Sequence, residues 1–316
     1  MSNKQEYIEF CKKEQNIPIF LQPWWLDLTT NSNWNALIYK KGGEVFAVMP
    51  YYNYKRSIFS MINMPLQTQF MGPYIKYPSG QQYNKKLSWE KDVMSYFIEN
   101  LPRFDYFEQN FSYQITNWLP FMWAGFEQTT TYTYKIAKRP IVEVFNKFDS
   151  SVKRAIKKAI KNEIIVKESD DFEEFFKLNQ MTYNRQQIYM DHDLDFVKRL
   201  FQEGKKNNSC KINIAYYKNR AIATNFLIYD NTDVYYLMGG IDPEFKNLGA
   251  MDLIQYESIK FALSSGRNFD FEGSVIESIE KYFRKFGAEQ TPYFKIIKTN
   301  SKILKIRSCI KDILEK

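Results

Sequence analysis

The sequence predicts an α/β protein of the α+β type, with two tandem domains in which helices flank a mixed, mainly antiparallel sheet. Two observations support this fold class. Strand-like and helix-like segments alternate along the chain. The order helix, hairpin, strand, helix, strand in the second half also repeats, imperfectly, the order of the first half. With 316 residues, 44% of them apolar and 17% aromatic, the chain can form a large core.

The first half begins its sheet with a hairpin, because two runs of strand-forming residues flank the turn Lys41-Gly42-Gly43. A helical pattern of apolar residues later stops at Leu101-Pro102. The elements predicted for this half are strands at residues 35–40, 44–52, 104–111 and 129–136 and a helix at residues 83–100.

The composition becomes helix-rich after Pro140, so we place the domain boundary near residues 140–150 and assign residues 1–145 and 146–316 to the two domains. Asp149 and the two following serines can cap a helix at residues 152–162. The remaining predicted helices span residues 172–187, 249–264 and 279–286, and the predicted strands span residues 212–217, 221–229, 234–238 and 268–271.

The chain is basic, with a formal net charge of +8 and a pI near 9.0. Such a charge favours an anionic partner, which can be a phosphate compound, a nucleic acid or an acidic lipid, although ordinary solubility charge is an equal alternative. No apolar leader or apolar run of membrane-spanning length is present. We expect a cytoplasmic protein without a transmembrane segment.

Histidine and cysteine usage argues against several kinds of chemistry. Cys11, Cys210 and Cys309 are isolated and do not form a CxxC motif, which indicates a reducing compartment and no zinc site. The only histidine is His192, between two aspartates. A histidine-dependent triad and a metal centre are therefore not predicted.

Several segments together resemble the Fem-type peptidyltransferases and the related acetyltransferase-like (GNAT superfamily) proteins often labelled methicillin-resistance proteins. The order of elements in each half is also that of an acetyltransferase fold. The segments that carry the resemblance are FLQPWWLD at 20–27, MGP at 71–73, NWLPFMWAGF at 117–126, KRAIKK at 153–158, NRQ at 184–186, GGIDPEFKNLGA at 239–250, FDFEGS at 269–274 and FRKFG at 283–287.

The resemblance implies two GNAT-like domains and the transfer of an acyl group to an amine, without a tightly bound cofactor. It implies aminoacyl-tRNA and a peptidoglycan precursor as co-substrates if the chain follows Fem enzymes, and acyl-CoA as the donor if it follows acetyltransferases. Two departures from Fem enzymes stand out. Tyr282 and Phe283 occupy the positions of a Fem Phe-Lys pair whose lysine is thought to bind phosphate, and the Fem coiled-coil arm has no counterpart, which weakens the tRNA hypothesis.

Acyl transfer to nitrogen needs a general base for the amine and donors for the developing oxyanion. Asp270 and Glu272 straddle Phe271 on a predicted strand, so we expect them on one face, where proximity raises one pKa. Glu272 is our first choice for the base, and Gly273 would let substrate approach. Arg284 and Lys285 would hold phosphate or the oxyanion, although a structural ion pair with an acid is an equal alternative.

The donor is expected at the turn before the helix at 249–264, where free amides favour anions. Lys246, Gly249 and Ala250 match the acetyltransferase pyrophosphate-loop pattern loosely, and a simple turn is an equal alternative. Tyr235 or Tyr236 would face the cleft, and we assign Tyr236 to the donor site.

Basic residues near the start of the second half are candidates for holding a phosphate-bearing substrate. Lys153, Arg154 and Lys157 belong to a helix that is otherwise explained as a solvated charged face. Arg185 is suited to bidentate contact with phosphate or carboxylate, with a structural salt bridge as the alternative.

Two further features suggest surfaces. Ile303, Ile306, Ile310 and Ile313 recur at helical spacing in the tail 295–316, which could lie on an anionic membrane or dock on the protein. Trp24, Trp25, Trp118 and Trp123 are interpreted as core or interdomain packing rather than as a platform for sugars.

The sequence therefore predicts an N-acyltransferase that acts on an amine of a small-molecule or lipid-linked cell-envelope precursor, such as an amino sugar or peptidoglycan stem, with a peripheral contact at the inner membrane face left open. A non-catalytic module that binds phosphorylated sugars or RNA is the alternative, since basic patches and aromatics serve both.

Overall fold

The computed structural model describes residues 2–186, 194–273 and 276–307, and the side chains of all of these except 183–186. The positions named above that lie outside the described residues are His192, Ser274, Cys309, Ile310 and Ile313. Within the described part of the chain, every helix is too short or too polar to cross a membrane.

The chain alternates between helices and strands. The α-helices are α1 (Asn3–Lys13), α2 (Pro23–Thr30), α3 (Tyr83–Asn100), α4 (Leu119–Trp123), α5 (Ile141–Asn146), α6 (Ser150–Lys161), α7 (Phe172–Gln186), α8 (Leu194–Lys206), α9 (Ala250–Ser264) and α10 (Glu277–Phe283). The strands are β1 (Trp34–Lys41), β2 (Glu44–Arg56), β3 (Phe59–Asn63), β4 (Tyr74–Ile75), β5 (Tyr106–Asn110), β6 (Glu127–Ile136), β7 (Ile165–Ser169), β8 (Cys210–Tyr217), β9 (Arg220–Tyr229), β10 (Asp233–Ile241), β11 (Asn268–Asp270) and β12 (Glu289–Thr299).

The strands and helices predicted for the two halves are confirmed to within a few residues. The tail is a correction. Residues 295–299, included in the helical tail, belong to strand β12, and helical structure is described only at 302–307. Residues Lys295 to Thr299 pair in register with β5, and this pairing satisfies their backbone with a neighbouring strand rather than with a helical turn.

The chain forms two compact units, residues 1–131 with 292–316, and residues 132–291. The boundary between these units therefore falls inside β6 and again inside β12. The sequence-based boundary at 145 lies within the second unit, and the last strand, assigned above to the second domain, returns to the first unit because it pairs with β5.

Each unit contains a mixed, mainly antiparallel sheet with one parallel pair joined through a helix. In the first unit this is β3–α3–β5, within the strand order β1-β2-β3-β5-β12 and with β4 added beside β2. In the second unit it is β10–α9–β11, within the order β6-β11-β10-β9-β8-β7. The predicted fold class is confirmed.

Helix α7 lies directly on β10 at two adjacent glycines. A Cβ added at Gly240 would lie 2.2 Å from the carbonyl oxygen of Leu178, whereas one added at Gly239 would meet the hydroxyl end of Tyr236 at 2.1 Å. The first obstacle is backbone and the second is the end of a rotatable side chain. Close contact between α7 and β10 therefore requires glycine at 240.

We expect Gly240→Ala to lower the free energy of unfolding by about 2 kcal/mol, because α7 must move away from the strand. Gly239→Ala is the matched control, and we expect it to cost less than the change at 240, because the added methyl group meets the end of a side chain rather than the backbone of α7. Urea denaturation of both variants measures the difference, and equal losses would contradict this reason for glycine at 240.

Candidate functional site

Strands β10 and β11 separate after a short parallel pairing. Asp233, Val234 and Tyr235 pair with Asn268, Phe269 and Asp270. Strand β11 ends there, while β10 continues to Ile241 and carries an irregularity in its register with β9 between Tyr236 and Met238. Beyond the split, Asn179 of α7 donates to the carbonyl of Gly239 (3.1 Å), and the Ile241 amide donates to the Thr182 hydroxyl (3.1 Å). After the two strands separate, the end of β11 and helix α10 lie beside β10.

A stack of aromatic rings joins the segments at this split. The rings of Phe271, just after β11, and Phe283, in α10, stack with centroids 4.7 Å apart. Tyr236 of β10 contacts Phe283 edge-on at 6.1 Å. Because Glu272 and Tyr282 are the chain neighbours of the two stacked rings, packing of Phe271 on Phe283 fixes the positions of both.

Asp270 is completely buried at the end of β11. Its Oδ1 accepts hydrogen bonds from the Thr133 hydroxyl and from the backbone amide of Glu272 (2.8 Å), while its Oδ2 is buried without a hydrogen-bond partner. Burial raises the pKa of Asp270 to about 6, against the lowering influence of Lys135. The protonated form of Asp270 is favoured here, because only one of the two carboxyl oxygens accepts hydrogen bonds.

The raised pKa makes Asp270 a pH-dependent cost to stability. The favourable contribution of its neutral form is complete below pH 3.8 and is lost as the pH rises through about 6, since the unfolded chain ionises first. For Asp270→Asn, we expect the free energy of unfolding relative to the wild type to increase by up to about 3 kcal/mol over that pH range. Urea denaturation at several pH values tests this, and a pH-independent difference would contradict it.

Glu272 does not continue the strand. Its φ of 62° is left-handed, so the chain turns after Phe271, and the strand alternation used to place both acids on one face is wrong at this residue. Asp270 and Glu272 are nevertheless close, because the Asp270 side chain accepts the Glu272 amide. Burial first, and the charge of Asp270 second, raise the pKa of Glu272 well above the ordinary carboxyl range.

Gly273 packs against the backbone of strand β6. With φ of 76°, its Cβ position would lie 2.3 Å from the carbonyl oxygen of Tyr132 in β6. The expectation that this glycine leaves room for substrate is therefore wrong, because the backbone of β6 occupies the space. Its role is to let the turn carrying Glu272 pass close to β6.

A second group of titratable side chains, not identified from the sequence, involves Tyr282 of α10 and Asp252 of α9. Burial, then the charges of Asp252 and Tyr236, raise the pKa of Tyr282 well above its usual value. The Tyr282 hydroxyl is buried without a hydrogen-bond partner. Burial also raises the pKa of Asp252, in the first turn of α9, to about 6. The buried, unpaired phenol of Tyr282 is a candidate proton donor.

The two cations assigned to catalysis lie in different surroundings. Arg284 is exposed and pairs with Glu280 one turn earlier, with Nε 3.6 Å from Oε1. The Lys285 ammonium lowers the pKa of both Asp252 and Asp149. Asp252 lies in the first turn of α9, and Asp149 caps α6. Lys285 is therefore near two helix N-termini.

The turn before α9 has the predicted form. Asp242 caps a 3-10 turn by accepting the Glu244 amide (3.0 Å) and pairs with Arg220 (2.7 Å). Gly249 then takes a φ of 82°, and a Cβ there would lie 2.2 Å from the Ala155 carbonyl oxygen of α6. The buried Ala250 begins α9, while Lys246 is exposed. Glycine at 249 thus allows α6 to lie against the start of α9.

The basic residues of α6 differ in their hydrogen bonds and exposure. Lys153 donates to the Asn146 carbonyl (2.8 Å), and Arg154 donates to the Ser150 hydroxyl (3.2 Å). Lys157 is exposed on the same helix. Arg185 belongs to the backbone of α7, but its side chain lies outside the described residues. Among the described residues, no cluster of acidic, cysteine or histidine side chains could hold a metal ion.

Comparison with known proteins places this site inside a recognised domain. Residues 146–284 match the model of the acetyltransferase (GNAT) domain. No curated protein matches the sequence. The chain is similar to FemX, with a TM-score of 0.69 and 14% identity over 92% of this chain and 95% of that one.

Two other solved structures share the fold. One is the C-terminal domain of a putative lysylphosphatidylglycerol synthetase from Agrobacterium fabrum, with a TM-score of 0.55, 10% identity, and coverage of 93% of this chain and 92% of that one. The other is L-PGS from Bacillus licheniformis, with a TM-score of 0.54, 9% identity, and coverage of 99% and 97%. The resemblance to Fem-type, GNAT-like proteins is thus confirmed at the level of the fold.

Proposed function

For a chain with a GNAT domain at residues 146–284 and the fold of FemX, we propose N-acyl transfer to an amine of a cell-envelope precursor, such as an amino sugar or a peptidoglycan stem. The observation that carries the proposal is the completely buried Asp270 with the partly buried Glu272 next to it, at the point where β10 and β11 separate. In the proposal, Glu272, whose carboxyl pKa is raised, is the base, and the buried hydroxyl of Tyr282, next to the stacked ring of Phe283, is the acid.

In the proposed reaction, the amine nitrogen attacks the donor carbonyl carbon, and a C–N bond forms. The ionised Glu272 carboxylate accepts the proton that the nitrogen loses. The C–S bond of an acyl thioester then breaks, and the leaving thiolate takes a proton from the Tyr282 hydroxyl. Asp270 positions Glu272 by accepting a hydrogen bond from its backbone amide. Asp270 is the alternative candidate for the base.

We propose acyl-CoA as the donor, because the matched domain is an acetyltransferase domain. Its phosphates would lie at the turn that Gly249 and Ala250 form before α9, held by Lys246 and Lys285, where helix N-termini favour anions. Tyr236 would flank the acyl chain. Arg154, Lys157 and Lys153 of α6, with Arg185, stay candidates for holding the acceptor or its phosphate.

A donor and acceptor screen tests the proposal. The purified protein is incubated with acetyl-CoA, longer acyl-CoAs or aminoacyl-tRNA, each with an amino sugar or a stem peptide, and free thiol and acylated product are measured. We expect turnover with an acyl-CoA. Turnover with aminoacyl-tRNA alone would replace the donor and keep the transfer, whereas RNA that copurifies without any turnover would favour the binding-module alternative.

A further inference from the structure

Exposed apolar side chains collect where α3 and α4 lie side by side in the first unit. Trp123 is 63% exposed, Met122 50% and Leu119 44%, and on α3 Tyr83 is 74% and Leu87 37% exposed. Tyr83, Leu87 and Lys91 are spaced four residues apart, so they form one stripe along α3. We call the following residues the tryptophan patch: Tyr83, Leu87, Lys91, Leu119, Met122 and Trp123.

The patch is held rigidly from beneath. Phe121 is completely buried between Phe111 and Phe126, at centroid distances of 5.0 and 5.1 Å. Asn117 donates to the buried Glu90 of α3 (3.0 Å) and accepts the Leu119 amide (3.2 Å). Because Phe121 faces the core, its neighbours Met122 and Trp123 must point outwards. The interpretation of Trp123 as packed in a core is therefore wrong.

The charges around the patch are mainly positive. The Lys91 ammonium lies 5.7 Å from the centre of the Trp123 ring, Lys85 comes from the same end of α3, and Lys86 pairs with Glu90 (3.9 Å). Glu90 is buried and hydrogen-bonded, and the exposed Asp92 lies about 100° further round the helix than Lys91. The patch thus presents tryptophan, tyrosine and aliphatic side chains with cations beside them.

We propose that the tryptophan patch binds the surface of an anionic phospholipid membrane. Tryptophan and tyrosine favour the boundary between headgroups and acyl chains, and lysines beside them are attracted to anionic lipid. Charge complementarity favours lipid over a second copy, because this chain carries a net charge of +8. The inference rests on the proposed function in one respect: membrane binding would bring the protein to a lipid-linked acceptor.

Vesicle cosedimentation tests the patch without donor or acceptor, so its outcome is separate from that of the transfer assay. We expect the protein to bind vesicles of equal parts phosphatidylcholine and phosphatidylglycerol, and to bind pure phosphatidylcholine far less. Trp123→Ala should weaken binding roughly tenfold and Lys91→Gln about fivefold. Met122→Ser provides a second apolar test, and neither it nor Trp123→Ala should unfold the protein, since both side chains are exposed.

Two control variants locate the contact. Ile58→Ser changes a side chain that is 75% exposed at the turn between β2 and β3 and should leave binding unchanged. A variant with Ile303→Ser and Ile306→Ser tests the tail. Loss of binding in the tail variant alone would overturn the proposal. Failure of the wild-type protein to bind anionic vesicles would also overturn it. A dimer in light scattering that Trp123→Ala abolishes would assign the patch to a second copy instead.

Discussion

Replacing Glu272 by Gln should lower kcat/KM for acyl transfer by about two to four orders of magnitude, the usual contribution of a positioned general base. The carboxamide keeps the size of the side chain but cannot accept the proton from the attacking amine. We expect donor binding to be unchanged, because the donor turn at α9 is separate from Glu272. Initial rates and a donor titration measure the two effects.

The pH profile adds a sharper readout. Only the ionised carboxylate accepts a proton, so the wild-type rate should rise with pH through the raised pKa of Glu272, above the ordinary carboxyl range. Asp270→Asn removes a negative charge that raises this pKa, and the rise should move to lower pH. A profile unchanged by Asp270→Asn would contradict the coupling. Loss of activity in Asp270→Asn with retention in Glu272→Gln would make Asp270 the base.

Glu277→Gln is the matched control for Glu272→Gln. Glu277 is an exposed acid in the first turn of α10, five residues further along the chain. The same change of charge there should leave the rate within about twofold, since an exposed carboxylate near the site acts only through a screened field. Full activity of Glu272→Gln would remove this residue from the mechanism.

Much of the fold could be predicted because its signals are local. The turn at Gly42-Gly43 and the apolar spacing of α3 depend only on neighbouring residues, and both are confirmed. The last strand was missed because its stability comes from pairing with β5, which is distant in sequence. Isoleucine spacing in the tail extended a helical interpretation into residues that tertiary structure places in a sheet.

The candidate site could be predicted only in part. FDFEGS locates the acids, but strand alternation cannot show that Glu272 turns away with a left-handed backbone. The raised pKa of Tyr282 depends on burial and on the charges of Asp252 and Tyr236, which come from other elements. The departure from the Fem pattern at Tyr282 and Phe283 was visible, and it marked the position where this chain places a phenol.

Tyr282→Phe should reduce kcat by about one to three orders of magnitude while leaving the fold as stable as before, or slightly more so. The hydroxyl is buried without a hydrogen-bond partner, so its removal relieves an unsatisfied polar group. Its loss also removes the proposed proton donor to the leaving thiolate. Thermal unfolding and turnover, measured on one preparation, separate these two effects.

The leaving group identifies the step. If Tyr282 protonates the thiolate, donors with more acidic thiols need that proton less, so acyl esters of aromatic thiols should restore much of the rate lost by Tyr282→Phe with acyl-CoA. Tyr256→Phe is the control, because that tyrosine packs on Phe145 and Phe148 in the same unit. An equal loss with every thiol would show that Tyr282 shapes the site without donating a proton. A loss confined to poor leaving groups would place its hydroxyl at the breaking bond.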